Sequence, residues 1–106
     1  VIDEAYLPFV ASGRSALELQ AANVLVLRSM TKEYALAGLR LGYAVGPAEV
    51  IAALTAVRPA WNVNAMAQVA GVAALEDETH LQQALTWLAH ANETLRADLT
   101  SLGLIP

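Results

Sequence analysis

The chain has no cysteine among its 106 residues. Disulfides and thiolate metal sites are therefore excluded, and a reducing compartment is permitted, so the expected location is cytoplasmic. Basic residues are scarce as well: six lysines and arginines stand against ten acidic residues, giving a net charge of −4 and an isoelectric point near 4.9. The six are scattered singly, which excludes the clustered basic footprint that nucleic acid requires. Long apolar runs are also missing. Arg40, Glu49 and Arg58 interrupt the most apolar region, so no membrane span is expected, and Gly38 and Gly42 match GxxxG without a span to give it meaning. No signal peptide is visible, because no basic segment, apolar stretch and cleavage site follow one another. His80 and His90 lie ten apart, nearly opposite on a helix and without carboxylates at ligand spacing, so no metal site is expected.

What is present is apolar. Hydrophobic residues make up 57% of the chain and charged residues only 15%, more apolar surface than the chain's own polar faces can cover. Missing partners are the expectation. The length suits about one domain. The chain opens on Val1-Ile2, apparently within a strand, and closes on Gly103-Leu104-Ile105-Pro106, where another strand is expected to begin, so both ends read as cuts in a larger protein.

Val1 and Ile2 lead into Asp3-Glu4-Ala5-Tyr6 and a stop at Pro8, the pattern of a parallel strand that ends at a site. Ser15 and Glu18 have capping-box spacing and predict a short helix to about Asn23. Val24 to Arg28 predicts the next strand. A strand, helix and strand at this spacing form a βαβ unit, which puts both strand C-termini on one sheet edge. Leu41 to Val45 predicts a further strand, with Gly46-Pro47 opening a helix over about Ala48 to Val57. Pro59 ends it. Asn64 is the expected cap of an alanine-rich helix from Ala65 to Glu76. Thr79 and Gln82 again have capping-box spacing, and Leu81, Leu85, Leu88, Asn92, Leu95, Leu99 and Leu102 keep a four-three rhythm. That predicts one helix of roughly 24 residues and about 36 Å, more than so small a domain needs.

The chemistry concentrates at Ser29-Met30-Thr31-Lys32 and at Arg40, eight positions beyond the lysine. Lys32 is the sole lysine and follows the strand Val24-Leu25-Val26-Leu27, so it leaves a strand end, where ligands bind in α/β sheets. A lysine there can form a Schiff base with a carbonyl if its amine loses a proton near neutral pH, which burial and a nearby cation such as Arg40 promote. The hydroxyls of Ser29 and Thr31, neighbouring amides and the Arg40 guanidinium are the donors a phosphate dianion needs. Asp3 and Tyr6 on the neighbouring strand add a carboxylate and a phenol. The set matches pyridoxal phosphate, whose ring nitrogen stays protonated beside a carboxylate.

Asp3-Glu4-Ala5-Tyr6, Arg28-Ser29-Met30-Thr31-Lys32 and Leu36-Ala37-Gly38-Leu39-Arg40-Leu41-Gly42-Tyr43 together resemble the core of the class I/II pyridoxal-phosphate aminotransferases, fold-type I. Within them the chain most resembles the histidinol-phosphate aminotransferase branch, and Pro59-Ala60-Trp61-Asn62-Val63-Asn64-Ala65 is similar to the related threonine-phosphate decarboxylases. The resemblance covers the whole chain but only about the middle third of such an enzyme. It implies an α/β fold, part of a large three-layer αβα cofactor-binding domain. Residues 1–78 would belong to that domain, and 79–106 would lead as a long helix towards a small C-terminal domain.

By the same resemblance, Lys32 would hold the cofactor and shuttle a proton, and Asp3 would pair with the ring nitrogen. Tyr6 would donate to the ring's phenolate oxygen, while Ser29, Thr31 and Arg40 would bind the phosphate. The implied activity is amino transfer between an amino acid and a 2-oxo acid, in a homodimer. Decarboxylation of threonine phosphate is the alternative within the family, since both reactions use every residue visible here. The isolated chain is expected to be inactive, because the ring-stacking aromatic, the glycine-rich phosphate turn and the arginine for the substrate carboxylate lie elsewhere in such enzymes. Outside the family the alternatives are a nucleotide-binding βαβ unit and a non-catalytic, association-prone piece. The first is weak, because Gly38, Gly42 and Gly46 are spaced by four and lack the GxGxxG pattern.

Overall fold

A computed structural model of the chain describes residues 1–10 and 12–105. Three strands, β1 (Ile2–Asp3), β2 (Val26–Ser29) and β3 (Gly42–Val45), form one sheet in that order. β1 runs parallel to β2 with Asp3 opposite Leu27, and β3 runs antiparallel to β2 with Ser29 opposite Gly42. β2 is thus the central strand, and the expected strand from Val24 starts two residues later than its apolar run suggests.

The parallel connection differs from the expected helix. It holds two short 3₁₀ turns, Leu7–Phe9 and Ala16–Leu19, the second ending at Gln20 in the left-handed region, φ 47°. Ser15 does cap it, accepting from the Leu17 amide at 3.2 Å. Glu18 does not complete the box, however, because its carboxylate is held by Arg14 at 2.6 Å. A longer helix lacked the reciprocal bond that would have started it.

Three α-helices follow: α1 (Ala48–Val57), α2 (Ala65–Glu76) and α3 (Glu78–Ser101). Pro47 is the N-cap of α1 rather than its first helical residue. Asn64 caps α2 as expected, its side chain accepting from the Ala67 amide at 2.8 Å. α3 has the expected 24 residues but begins earlier than the Thr79–Gln82 spacing suggests, because Asp77 accepts from the His80 amide at 2.9 Å and caps it instead. Leu81, Leu85, Leu88 and Leu99 of the leucine rhythm are half-buried, whereas Leu95 and Leu102 are exposed. No strand begins within residues 103–105, and Pro106 lies outside the described residues.

The core is small. Val26, Met30 and Ala67 are its fully buried hydrophobic residues, and Gly71 of α2 is buried beside them. A Cβ at Gly71 would stand 2.5 Å from Leu41 Cδ2 and 3.6 Å from Met30 Sδ, so the missing side chain lets α2 approach the segment that carries Lys32. The radius of gyration is 17.1 Å, against about 13 Å for a compact chain of this length. Large apolar side chains on the loop and helices, including Trp61, Met66, Val69, Val72 and Trp87, are exposed. No helix among the described residues is long and apolar enough to cross a membrane.

Candidate active site

Parallel pairing of β1 and β2 brings their C-terminal ends together, and the segments that leave those ends form an open cavity of about 430 Å³. Asp3, Tyr6, Ser29, Thr31, Lys32 and Arg40, the six residues singled out from the sequence, all line it, together with Leu27 and Gly42. Of two larger clefts, the one of about 680 Å³ adjoins it and shares Asp3, Ala5 and Tyr6, the one of about 500 Å³ lies along α3, and neither contains Lys32 or Arg40. Their walls carry no comparable group of charged and hydroxyl side chains around an amine.

Asp3 sits at the last position of β1, where its Oδ1 accepts from the Ala5 amide at 2.9 Å and fixes the carboxylate's orientation. Tyr6 follows on the turn that ends the strand. Its ring lies below the Lys32 ammonium, with Nζ 5.4 Å from the ring centroid, within cation–π range. Lys32 itself is exposed, not sheltered as its position after a buried strand suggested. β2 ends at Ser29, and Lys32 lies three residues further, in a turn where it has left the sheet's cover.

The opposite wall carries the anion-binding groups. Ser29 Oγ and Thr31 Oγ1 share a hydrogen bond of 2.8 Å, and the Thr31 amide donates to Ser29 Oγ at 3.3 Å. Arg40 is held in the left-handed region, φ 56°, and its Nη1 donates to the Ala37 carbonyl at 3.1 Å. That φ is uncommon for a residue with a side chain and marks a backbone held in place by its surroundings. The restraints are visible. The Met30 amide donates to Leu41 O at 3.1 Å and the Leu36 amide to Met30 O at 3.3 Å, which closes the loop on a buried methionine. Asn64, while capping α2, also donates from Nδ2 to Leu39 O at 3.4 Å. With Lys32 and Arg40 facing Asp3 alone, the cavity leans positive and suits a dianion.

Behind the cavity lies a buried polar group that the sequence reading passed over. Glu4, 6% exposed, pairs with Arg28 at 2.7 Å and accepts from Ser15 Oγ at 2.9 Å and the Ala16 amide at 2.6 Å. Burial raises the Glu4 carboxyl's pKa, but the Ala16 amide, the Ser15 hydroxyl and the Arg28 guanidinium outweigh it and hold the group below the usual carboxylate value. Glu33, next to Lys32, is as deeply buried. Its carboxyl is pushed up by burial, which the more distant Arg28 charge only partly offsets. Tyr34 is raised too, by burial and by Glu33 and Tyr43 beside it. The signal for Glu4 and Arg28 was present, since each adjoins a site residue on a strand that had been identified. Glu33 carried none, being one acidic residue in a loop. Trp61, in the loop before α2, is 97% exposed and does not line the cavity. No group of three metal-ligating side chains occurs among the described residues.

Known proteins give the comparison its context. A family model described as aminotransferase class I and II matches residues 1–106. Among curated relatives, the histidinol-phosphate aminotransferase of Moorella thermoacetica is 42% identical over 98% of this chain and 28% of its own length. That of Aromatoleum aromaticum is 44% identical over 97% of this chain and 30% of its own. The solved structure of histidinol-phosphate aminotransferase from Sinorhizobium meliloti in complex with pyridoxal-5'-phosphate superposes with a TM-score of 0.89 at 26% identity, covering 98% of this chain and 29% of that one. The Clostridium acetobutylicum enzyme gives 0.80 at 27%, over 94% and 31%. The chain thus spans about three-tenths of the length of the relatives it matches.

Proposed function

The chain belongs to the class I and II aminotransferases, and from that membership we propose that it forms the pyridoxal-phosphate-binding part of an enzyme that moves an amino group between an amino acid and a 2-oxo acid. Its similarity to histidinol-phosphate aminotransferases supports a substrate of that class, an amino alcohol phosphate or its oxo counterpart. One observation carries the reading: an amine, a carboxylate, a phenol, two hydroxyls and a guanidinium all border one cavity at the ends of two parallel strands.

The donor set fits the cofactor group by group. Pyridoxal phosphate, when bound, supplies a carbonyl that bonds to primary amines and a protonated ring that draws electrons from the substrate's α-carbon. Lys32 is the amine that would hold it and the base that would take and return the substrate's α-proton. Asp3 would supply the carboxylate that keeps a proton on the ring nitrogen through charge–charge attraction. Tyr6 would donate a hydrogen bond from its hydroxyl to the ring oxygen. Ser29, Thr31 and Arg40 gather the phosphate, with Arg40 supplying the charge and the hydroxyl pair the directional donors.

Residues 1–78 are assigned to the cofactor-binding domain, and the helix from residue 79 onwards to the passage towards a smaller one. A homodimer of the whole enzyme accounts for the exposed apolar side chains on the loop and helices.

Treating the full-length protein with pyridoxal phosphate and then borohydride tests the reading. A reduced cofactor mass on Lys32, together with amino transfer from glutamate to an oxo phosphate acceptor, is the expected result. Label confined to the amino terminus, or carbon dioxide released from threonine phosphate in place of amino transfer, overturns it.

A further inference from the structure

Successive residues of a strand face opposite sides of the sheet, so the pairing of Asp3 with Leu27 and of Ser29 with Gly42 sets these four on the cavity side. Glu4, just past the end of β1, and Arg28, one step along β2, pair at 2.7 Å, and Arg28 also borders the cavity. β1 is only two residues long, and its pairing with β2 is flanked by bonds from Ile2 N to Leu25 O at 2.8 Å and from Glu4 N to Leu27 O at 2.9 Å. Its apolar residues do little to fix the register, since Val1 is 83% and Ile2 38% exposed. A slip of one residue would turn Asp3 away from the cavity and bring Glu4 into it.

What opposes that slip is the contact set of Glu4. Its two oxygens are bound by Arg28 on β2 and by Ser15 and Ala16 in the connection, and Arg28 Nη2 also donates to Ser15 Oγ at 3.1 Å. Arg28 Nε is buried with no acceptor among the described residues, so a slip would strip a buried guanidinium of its remaining bonds. Removing one partner of a buried ion pair is strongly unfavourable, because it leaves the other charge uncompensated.

The geometry points to Glu4 and Arg28 as positioning residues, a buried register clamp that holds Asp3 across the cavity from Ser29 and Lys32. This deepens the cofactor-binding reading and rests on it.

The test uses the full-length protein carrying Glu4→Gln, Arg28→Met, both together, or the milder Ser15→Ala. In the apoprotein, deuterium exchange of a peptide covering residues 1–10 is expected to quicken about tenfold in either single variant, and no further in the double, while a peptide from α3 stays unchanged. Ser15→Ala moves the same way by about threefold and serves if the stronger variants do not fold. Pyridoxal phosphate affinity is expected to fall about tenfold, and the bound cofactor's visible spectrum to shift towards that of Asp3→Asn. Native-like exchange in residues 1–10 overturns the clamp. So does a lower melting temperature with cofactor affinity and spectrum intact. Should the unmodified protein take no cofactor onto Lys32, the proposed function fails instead, and the exchange comparison alone decides the clamp.

Discussion

The Lys32 ammonium stands over the Tyr6 ring, 5.4 Å from its centroid, so the sole lysine and the phenol are one unit before any ligand arrives. The two can be separated by substitution. Tyr6→Phe keeps the ring and removes the hydroxyl, so it is expected to weaken pyridoxal phosphate binding by about tenfold, the worth of one hydrogen bond to a charged oxygen. Tyr6→Ala also removes the ring and is expected to lose a further factor of about two to five, matching an exposed cation–π contact. Equal affinities for the two variants, measured by cofactor titration, would deny the ring any part.

Arg40 is the charged member of the anion-binding wall. Arg40→Ala is expected to lower cofactor affinity about thirtyfold, which corresponds to about 2 kcal/mol for a charge-assisted bond. Arg40→Lys restores charge but not the forked geometry, and recovers only part of the loss. Equilibrium dialysis of the three proteins against the cofactor measures both steps.

The two buried glutamates predict opposite pH responses. Glu4 has its carboxyl held below the ordinary 4.5, so its contribution to stability is present above that value and is lost as pH falls through the lower folded value. Glu33 has its carboxyl raised above 4.5, so its contribution is present below 4.5 and is lost as pH rises through the higher folded value. Glu33→Gln is therefore expected to melt higher than the unmodified protein at pH 7, with the gap closing towards pH 4.5. Glu4→Gln is expected to melt lower at pH 7, with its gap closing only below 4.5. Thermal melts across that range check both signs, and a destabilised Glu33→Gln at pH 7 would reveal a partner for that carboxylate.

Gly42 lines the cavity where β3 passes Ser29, and a Cβ there would stand 2.7 Å from the Arg28 carbonyl oxygen. A backbone carbonyl in a central strand cannot swing aside as a side-chain tip can. Gly42→Ala is expected to cost about 1–3 kcal/mol, the usual range for overpacking. It should also loosen cofactor binding by shifting Ser29. Denaturant midpoints and a cofactor titration on the same protein check the pair of effects.

Much of this was legible in the sequence because its signals were local. Asn64 caps α2 at the residue the sequence indicates, since a cap needs only its own side chain and an amide three positions on. Five of the six candidate residues, Asp3, Tyr6, Ser29, Thr31 and Lys32, lie at or just past the C-terminal ends of β1 and β2, which parallel pairing brings together, while Arg40 precedes β3. The connection after β1 was misread because Glu18 had a choice of partners: the capping-box amide and Arg14, four residues before it, competed for one carboxylate. The start of α3 was misread for a similar reason, with Asp77 reaching the His80 amide ahead of Thr79. Glu33 and the exposure of Lys32 were not legible at all. Burial depends on which elements pack over a loop, and α2 reaches its place against Met30 and Leu41 only through the folded chain.

α3 has a mechanical consequence. A straight rod of 24 residues measures about 36 Å, so a tilt of about ten degrees at its Asp77 end sweeps the far tip through about 6 Å. The Asp77 junction between α2 and α3 is therefore the place where a small difference in angle is amplified most along the rod.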